Sequence, residues 1–414
     1  MLKSIDLPDS VINISKSAFY DSGLITINIS LDSKLEQLDD YCFENSKLST
    51  FFIPRYLKKA YSRTFLMCPL QNITSDPRNL IYKSDNSSVF VGATNSTLFK
   101  VVPAYTDQYE IPSYVYSISE NCFYGCNISS IQFNDKVTSI AKSAFGECKL
   151  LTSVTIPDQL TSIGEGAFFK CTSLTKVVLP ENFERLSDTA FFYCTALTDI
   201  KIPQRVSFIG QTAFSNCESL TSIVLPEKIT SIPNSLFSYC KSLSNVTFNG
   251  KITSIGNYAF ASCESLTTFT IPETVRSIGN GVFQLCKNLT SITFMNNDNT
   301  ITMNDKIFYY INKPINIYIN GTLKISTSYP NQIFRKSHLY VTSQTILSED
   351  SKLYFGPKSV YVHLEGTTDI TDERTLDVIN YIAIPPKKSQ TYPVRDDFEA
   401  MKFAGISILL FLKN

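Results

Sequence analysis

Cys148, Cys171, Cys194, Cys217, Cys240, Cys263 and Cys286 follow one another at a constant interval of 23 residues. A fixed period of this length demands one supersecondary unit repeated along an axis. With the cysteines in register, other columns appear. Phe145, Phe168, Phe191, Phe214, Phe237, Phe260 and Phe283 form one, and Ala144, Ala167, Ala190, Ala213 and Ala259 precede five of them. Ile140, Ile163, Leu186, Ile209, Ile232, Ile255 and Ile278 stand five residues before each Phe. Leu151, Leu174, Leu197, Leu220, Leu243, Leu266 and Leu289 stand three after each Cys. Apolar pairs such as Val154 with Ile156 and Ile223 with Leu225 come next, often closed by a proline, as at Pro157, Pro180, Pro203, Pro226 and Pro272.

The L-x2-I-x-I segment alternates with period two, which predicts a strand with one buried face. The proline that follows has no N–H to give a ladder and ends the strand. The A-F-x2-C segment is too short for a full helix and predicts one helical or 3-10 turn. One unit cannot bury its apolar side alone. Stacked units bury Ile, Phe, Cys and Leu as columns and line up their strands as a parallel sheet. The cysteines then form a buried, reduced structural column, each a small hydrophobe with a weak S–H donor.

Degenerate copies extend the array toward the N-terminus, through Phe19, Phe43, Phe65 and Phe123, to about eleven coils. Between Ile73 and Ile118 the period breaks. Alternating runs at Leu80–Tyr82, Ser88–Val91 and Thr97–Val102, with turn residues Asp85-Asn86 and Thr94-Asn95-Ser96, predict a β-hairpin leaving the stack and rejoining it at Tyr109–Pro112. After Met295 the period fades into short strand-like runs at Ile315–Ile319, Leu323–Ile325, Leu339–Val341, Leu353–Phe355 and Val360–Leu364. The expected organisation is degenerate repeats over 1–73, the hairpin insertion over 74–111, regular repeats over 112–294, and a degenerate β-rich C-terminal region and cap over 295–414.

The unit T-S-I-G-x2-A-F-x2-C-x-S-L-T-x-I-x-I-P, seen best over 162–180, resembles the BspA-like leucine-rich repeat. The resemblance covers about residues 1 to 294. It implies a curved leucine-rich solenoid, with a parallel sheet on one face and short turns on the other. It also implies a non-catalytic, protein-recognising role as a surface antigen or adhesin. That family includes bacterial surface adhesins and a large set of surface antigens assigned to parasitic protists such as trichomonads.

Composition narrows the function classes. Lys+Arg and Asp+Glu number 37 each, so the chain carries no net charge with which to meet phosphates or an anionic membrane. Only His338 and His363 are available, which argues against histidine metal sites and most histidine acid–base chemistry. No P-loop, G-x-S-x-G, H-E-x2-H or G-x-G-x2-G motif is present. No enzyme activity, cofactor, metal, nucleic-acid partner or small-molecule substrate is expected. Nine N-x-S/T sequons, at Asn13, Asn28, Asn72, Asn86, Asn95, Asn127, Asn245, Asn288 and Asn320, match an Asn-, Ser- and Thr-rich composition. The N-terminal residues show no basic stretch followed by an apolar run, so no secretory signal is expected. That would favour the alternative, an intracellular scaffold. The run Phe403–Leu412 is ten residues, about half of a membrane span, and is expected to pack on the body.

Two columns of the strand not used for the core remain to meet a partner. One is Ser153, Lys176, Asp199, Ser222, Asn245, Thr268 and Ser291. The other is Thr155, Val178, Lys201, Val224, Thr247, Thr270 and Thr293. These are the candidate binding residues for a protein or cell-surface ligand. A further polar ladder, Ser139, Ser162, Ser187, Ser231, Ser254 and Ser277, is expected to hydrogen-bond along the stack.

Overall fold

The computed structural model describes residues 2–92, 94–296, 300–303, 306–311, 313 and 315–326. Beyond these it describes the strands His338–Val341, Ile346–Leu347, Tyr361–Leu364 and Phe411–Leu412. The expected run 353–355 and residues 403–410 of the apolar tail lie outside the described residues. The chain divides into two compact units, 1–228 and 229–414.

In the regular coils of the first unit each coil contributes two strands, both paired in parallel with their equivalents. The expected strand gives one series, in which Ser153–Thr155, Lys176–Val178 and Asp199–Ile200 pair in order. A second series is only two residues long: Ser162–Ile163 pairs with Arg185–Leu186, which pairs with Phe208–Ile209. The second unit repeats the arrangement, with Ser231–Ile232, Ser254–Ile255 and Ser277–Ile278 in one ladder and Thr268–Ile271 paired to Ser291–Asn296 in the other. That longer ladder continues through Asn316–Ser326, His338–Val341, Tyr361–Leu364 and Phe411–Leu412.

The two-residue ladder corrects one column. Its register places Arg185 and Phe208 after Ser162, not Ser187. The Arg185 guanidinium lies 3.6 Å from the centre of the Phe208 ring, a cation–π contact. Ser187 stands two residues on, where its hydroxyl donates to Ile163 O at 2.6 Å.

The core is a set of closed columns. Phe123, Phe145, Phe168, Phe191 and Phe214 stack with ring centres 4.8 to 5.8 Å apart and planes within 17° of parallel. Each of these rings is fully buried, as are the Cys and Leu columns beside them.

The A-F-x2-C segment is not helical; among the described residues there is no helix. It is an arch in which successive N–H groups serve different partners. Ala144, Gly146 and Cys148 close short turns onto Ala141, Ser143 and Phe145. Ser143, Phe145 and Glu147, between them, donate to Glu165, Ala167 and Phe169 of the next coil at 2.7 to 2.9 Å. A helix would turn every N–H inward. Two left-handed residues per arch prevent this: Ser143 and Glu147 have φ of 50° and 55°, and Gly166 and Lys170 have 57° and 56°.

Most of these left-handed positions are not glycine, and two, Thr189 and Thr212, are β-branched. Thr189 has φ 55°, a conformation that crowds an L side chain by about 1–2 kcal/mol. Thr189→Gly is expected to stabilise the protein by about 1 kcal/mol, the relief less part of glycine's extra chain entropy. Urea denaturation followed by circular dichroism checks this; a loss of stability would show that the threonine is not strained there.

The interruption after Ile73 is a three-stranded antiparallel meander, Tyr82–Ser84, Ser88–Val91 and Thr97–Val101. Its root is fixed by Asn79, fully buried. The Asn79 amide nitrogen donates to Pro54 O and Leu57 O, and its oxygen accepts from the Ile81 and Tyr82 N–H groups. The last meander strand also pairs in parallel with Ser117–Ile118, so the chain is back in the stack by Thr97.

Candidate functional site

The alternation of each long strand sends one set of side chains into the core and the other to solvent. In the first unit Val154, Val177, Ile200 and Ile223 are buried. Ser153, Thr155, Lys176, Val178, Asp199, Lys201, Ser222 and Val224 are all exposed. Register brings Ser153, Lys176 and Asp199 side by side, and Thr155 beside Val178. In the second unit Asn245, Thr247, Thr268 and Thr270 are exposed on their strands. Register sets Thr268 beside Ser291 and Thr270 beside Thr293.

The charges on this face are lightly held. Lys201 Nζ lies 2.7 Å from Glu181 Oε1, with both side chains at least 75% exposed. A pair this open contributes roughly 0–1 kcal/mol. The face is thus a lattice of hydroxyls and amides with a few charges and two exposed valines, whose polar groups need hydrogen-bond partners from whatever covers them.

Sequence reasoning missed two neighbours of this face. Before several of the strands a hydroxyl is committed to the stack. Thr175 Oγ1 donates to Thr152 O at 3.0 Å, and Thr152 Oγ1 to Ser129 O at 3.3 Å. Thr290 does the same to Thr267 O at 2.9 Å. The threonine in the T-x-I part of the unit was the available signal. The second addition is aromatic. In the second unit the two columns continue by register through Asn316, His338 and Tyr361, and through Tyr318, Tyr340 and His363. The repeat spacing drifts from 23 there, which hid the continuation.

All eleven cysteines are buried and unpaired. The column is more than filler. Cys148, Cys171 and Cys194 donate from Sγ to the carbonyls of Phe123, Phe145 and Phe168, each at 3.1 Å. In the second unit Cys263 and Cys286 donate to Phe237 O and Phe260 O at 3.2 and 3.1 Å. Each thiol therefore gives a second hydrogen bond to a carbonyl that already accepts the turn-closing N–H of its own coil. Burial pushes the Cys194 and Cys286 thiols up to about 12, so both stay protonated donors and poor nucleophiles. Cys42 and Cys122 belong instead to the alanine column, directly before Phe43 and Phe123.

Among the described residues no group of three or more His, Cys, Asp or Glu side chains is placed to hold a metal ion. Nor is any described helix long and apolar enough to cross a membrane.

Parallel strands, stacked phenylalanine and leucine columns and a solvent-facing strand surface define a leucine-rich repeat solenoid. The model of the BspA type leucine rich repeat region matches residues 1–90, 95–221 and 207–339, and the chain belongs to that family. Its fold is similar to that of a leucine-rich repeat protein from Eubacterium ventriosum, with a TM-score of 0.52 and 22% identity over 69% of this chain and 76% of that one. The pneumococcal vaccine antigen PcpA is matched at a TM-score of 0.44 and 20% identity, over 70% of this chain and 63% of that one. A leucine-rich cell surface protein from Faecalibacterium prausnitzii is matched at a TM-score of 0.38 and 21% identity, over 77% of this chain and 88% of that one. No curated protein matches.

Proposed function

We propose that this protein is a non-catalytic recognition solenoid, displayed as a surface antigen or adhesin, which meets a protein or cell-surface ligand through its exposed strand face. The observation that carries the reading is the strand face itself. Ser153, Lys176 and Asp199 are neighbours in register, exposed, and free of the interlayer hydroxyl bonds that occupy Thr152 and Thr175. A rigid face that repeats the same chemistry coil after coil suits weak contacts made many times over, where avidity exceeds any single affinity. Membership of a family that includes surface adhesins supports display outside the cell.

Replacing Lys176, Asp199 and Lys201 together with Ser tests the face. Thermal stability is expected to stay nearly unchanged, because exposed charges contribute little. Binding of the purified protein to cultured epithelial cells, read by flow cytometry, is expected to fall severalfold. Unchanged binding would take the site off this face. Surface biotinylation of intact producing cells tests display: label on the protein is expected, and label only after lysis would turn the reading to an intracellular scaffold.

A further inference from the structure

The arch that follows Leu98 is two residues short. Leu98 stands three residues before Val101, whereas Ile118 and Ile140 stand five before Phe123 and Phe145. Val101 still fills the phenylalanine column. Its N–H donates to Cys122 O at 2.9 Å, and its carbonyl accepts from Cys126 Sγ at 3.5 Å. Phe123 holds the same two bonds, to Ala144 O and from Cys148 Sγ. What is missing is the outer limb of the arch, where Asn121 and Ser143 take left-handed φ values in the next two coils.

The coil before the short arch loses its acceptors. Phe43 and Asn45 donate from N–H to Thr64 O and Leu66 O of the next coil, and Asn121, Phe123 and Gly125 do so to Lys142 O, Ala144 O and Gly146 O. The equivalent donors between them are Arg63, Phe65 and Met67, and these have no hydrogen-bond acceptor among the described residues. Phe65 is only 4% exposed. Buried N–H groups are almost always paired, so the open donor at the buried Phe65, flanked by those of the half-buried Arg63 and the exposed Met67, marks a place suited to acceptors from another molecule.

Charges gather at the same break. Arg63 Nε lies 3.7 Å from Glu120 Oε1, and the buried Lys100 reaches Asn121 O at 3.4 Å. Asp40 and Glu44 of the preceding coil both act on Arg63, and Glu44 also acts on Tyr124 across the break. Asp40 Oδ1 and Glu44 Oε2 are buried with no hydrogen-bond partner among the described residues. Three carboxylates thus gather around Arg63, with two carboxylate oxygens unmatched.

We propose that this break docks an extended segment of a partner protein bearing a basic side chain. Carbonyls on alternate residues of an extended chain point to one side, which matches the alternate N–H groups of Arg63, Phe65 and Met67. A Lys or Arg of that segment would donate to Asp40 Oδ1 and Glu44 Oε2, satisfying oxygens that are costly to leave bare. An acidic segment is opposed by Asp40, Glu44 and Glu120. The surface belongs to the arches, not to the strand face, and the inference does not rest on the function proposed for that face.

The probe is the peptide acetyl-Val-Arg-Val-Arg-Val-Arg-amide, with the same peptide carrying Glu in place of Arg as its control. Fluorescence anisotropy with the full chain is expected to show saturable binding of the arginine peptide and none of the glutamate peptide. The double variant Asp40→Asn, Glu44→Gln is expected to weaken binding at least tenfold without lowering the melting temperature. The strand-face triple variant is expected to bind the peptide normally. Amide exchange separates this from surface attraction: Phe65 N–H is expected to exchange faster than Phe43 or Phe145 in the free protein, and to slow with peptide bound. The proposal is overturned by an absence of saturable binding, by equal binding of the glutamate peptide, or by a Phe65 amide as protected in the free protein as those of Phe43 and Phe145.

Discussion

Phe168→Ala is expected to lower stability by about 3–5 kcal/mol, the range for truncating a buried Phe in a packed core. The ring is fully buried and sits 5.1 Å from Phe145 and 5.7 Å from Phe191, with planes 4° and 11° from parallel. Alanine would open a void whose walls are other columns of the stack. Those walls are held on both sides by strand ladders and arch bonds, so they cannot close in cheaply. The adjacent Phe169 gives the contrast. It stacks on Phe192 at 5.7 Å but is only partly buried. Phe169→Ala is expected to cost about 1 kcal/mol, since most of what it shields is already near water. Urea denaturation of the two variants side by side checks the pair, and equal losses would contradict a closed phenylalanine column.

Gly210→Ala carries the second large effect. A Cβ at Gly210 would stand 2.3 Å from the backbone nitrogen and carboxylate oxygen of Asp188, and 2.5 Å from its Cα. Neither side can step back freely. Gly210 N–H is bonded to Leu186 O at 2.8 Å, and Asp188 Oδ1 accepts from Gln211 N–H at 3.1 Å. Forcing a methyl into this contact is expected to cost about 1–3 kcal/mol, as overpacking does. Gly125→Ala is the control, with open space around its Cβ but φ 71°; its cost is expected to be backbone strain of about 1 kcal/mol. A melting temperature unchanged by Gly210→Ala would show that the coils are spaced more loosely than described.

Much of this was legible in the sequence because stacking converts a period into columns. Phe, Cys, Leu and Ile at fixed offsets announced the core, and the alternation around Val154 and Ile156 announced the strand and its exposed partners Ser153 and Thr155. The two-residue ladder through Ser162 was not legible as strand, since two residues show no alternation. The same brevity let Ser187 stand for Arg185 in that column. A-F-x2-C is too short for a full helix and predicts one helical or 3-10 turn, and it carries no regular glycine to mark where left-handed backbone occurs. Glu147, Lys170, Thr189 and Tyr193 take that conformation under the demands of the neighbouring coil, against their own preference. The break beside Arg63 was invisible for another reason. A two-residue deficit between Leu98 and Val101 looks like ordinary repeat decay until hydrogen bonds show which donors it leaves open.

The stacked interior is the premise of every surface argued above, and counting thiols tests it most directly. The protein is treated with excess iodoacetamide without reductant, once in native buffer and once in denaturant, and intact masses are compared. All eleven thiols are buried and unpaired, so the native sample is expected to carry essentially no adducts and the denatured sample eleven. Several adducts on the native protein would contradict the closed column, and fewer than eleven after denaturation would contradict its reduced state.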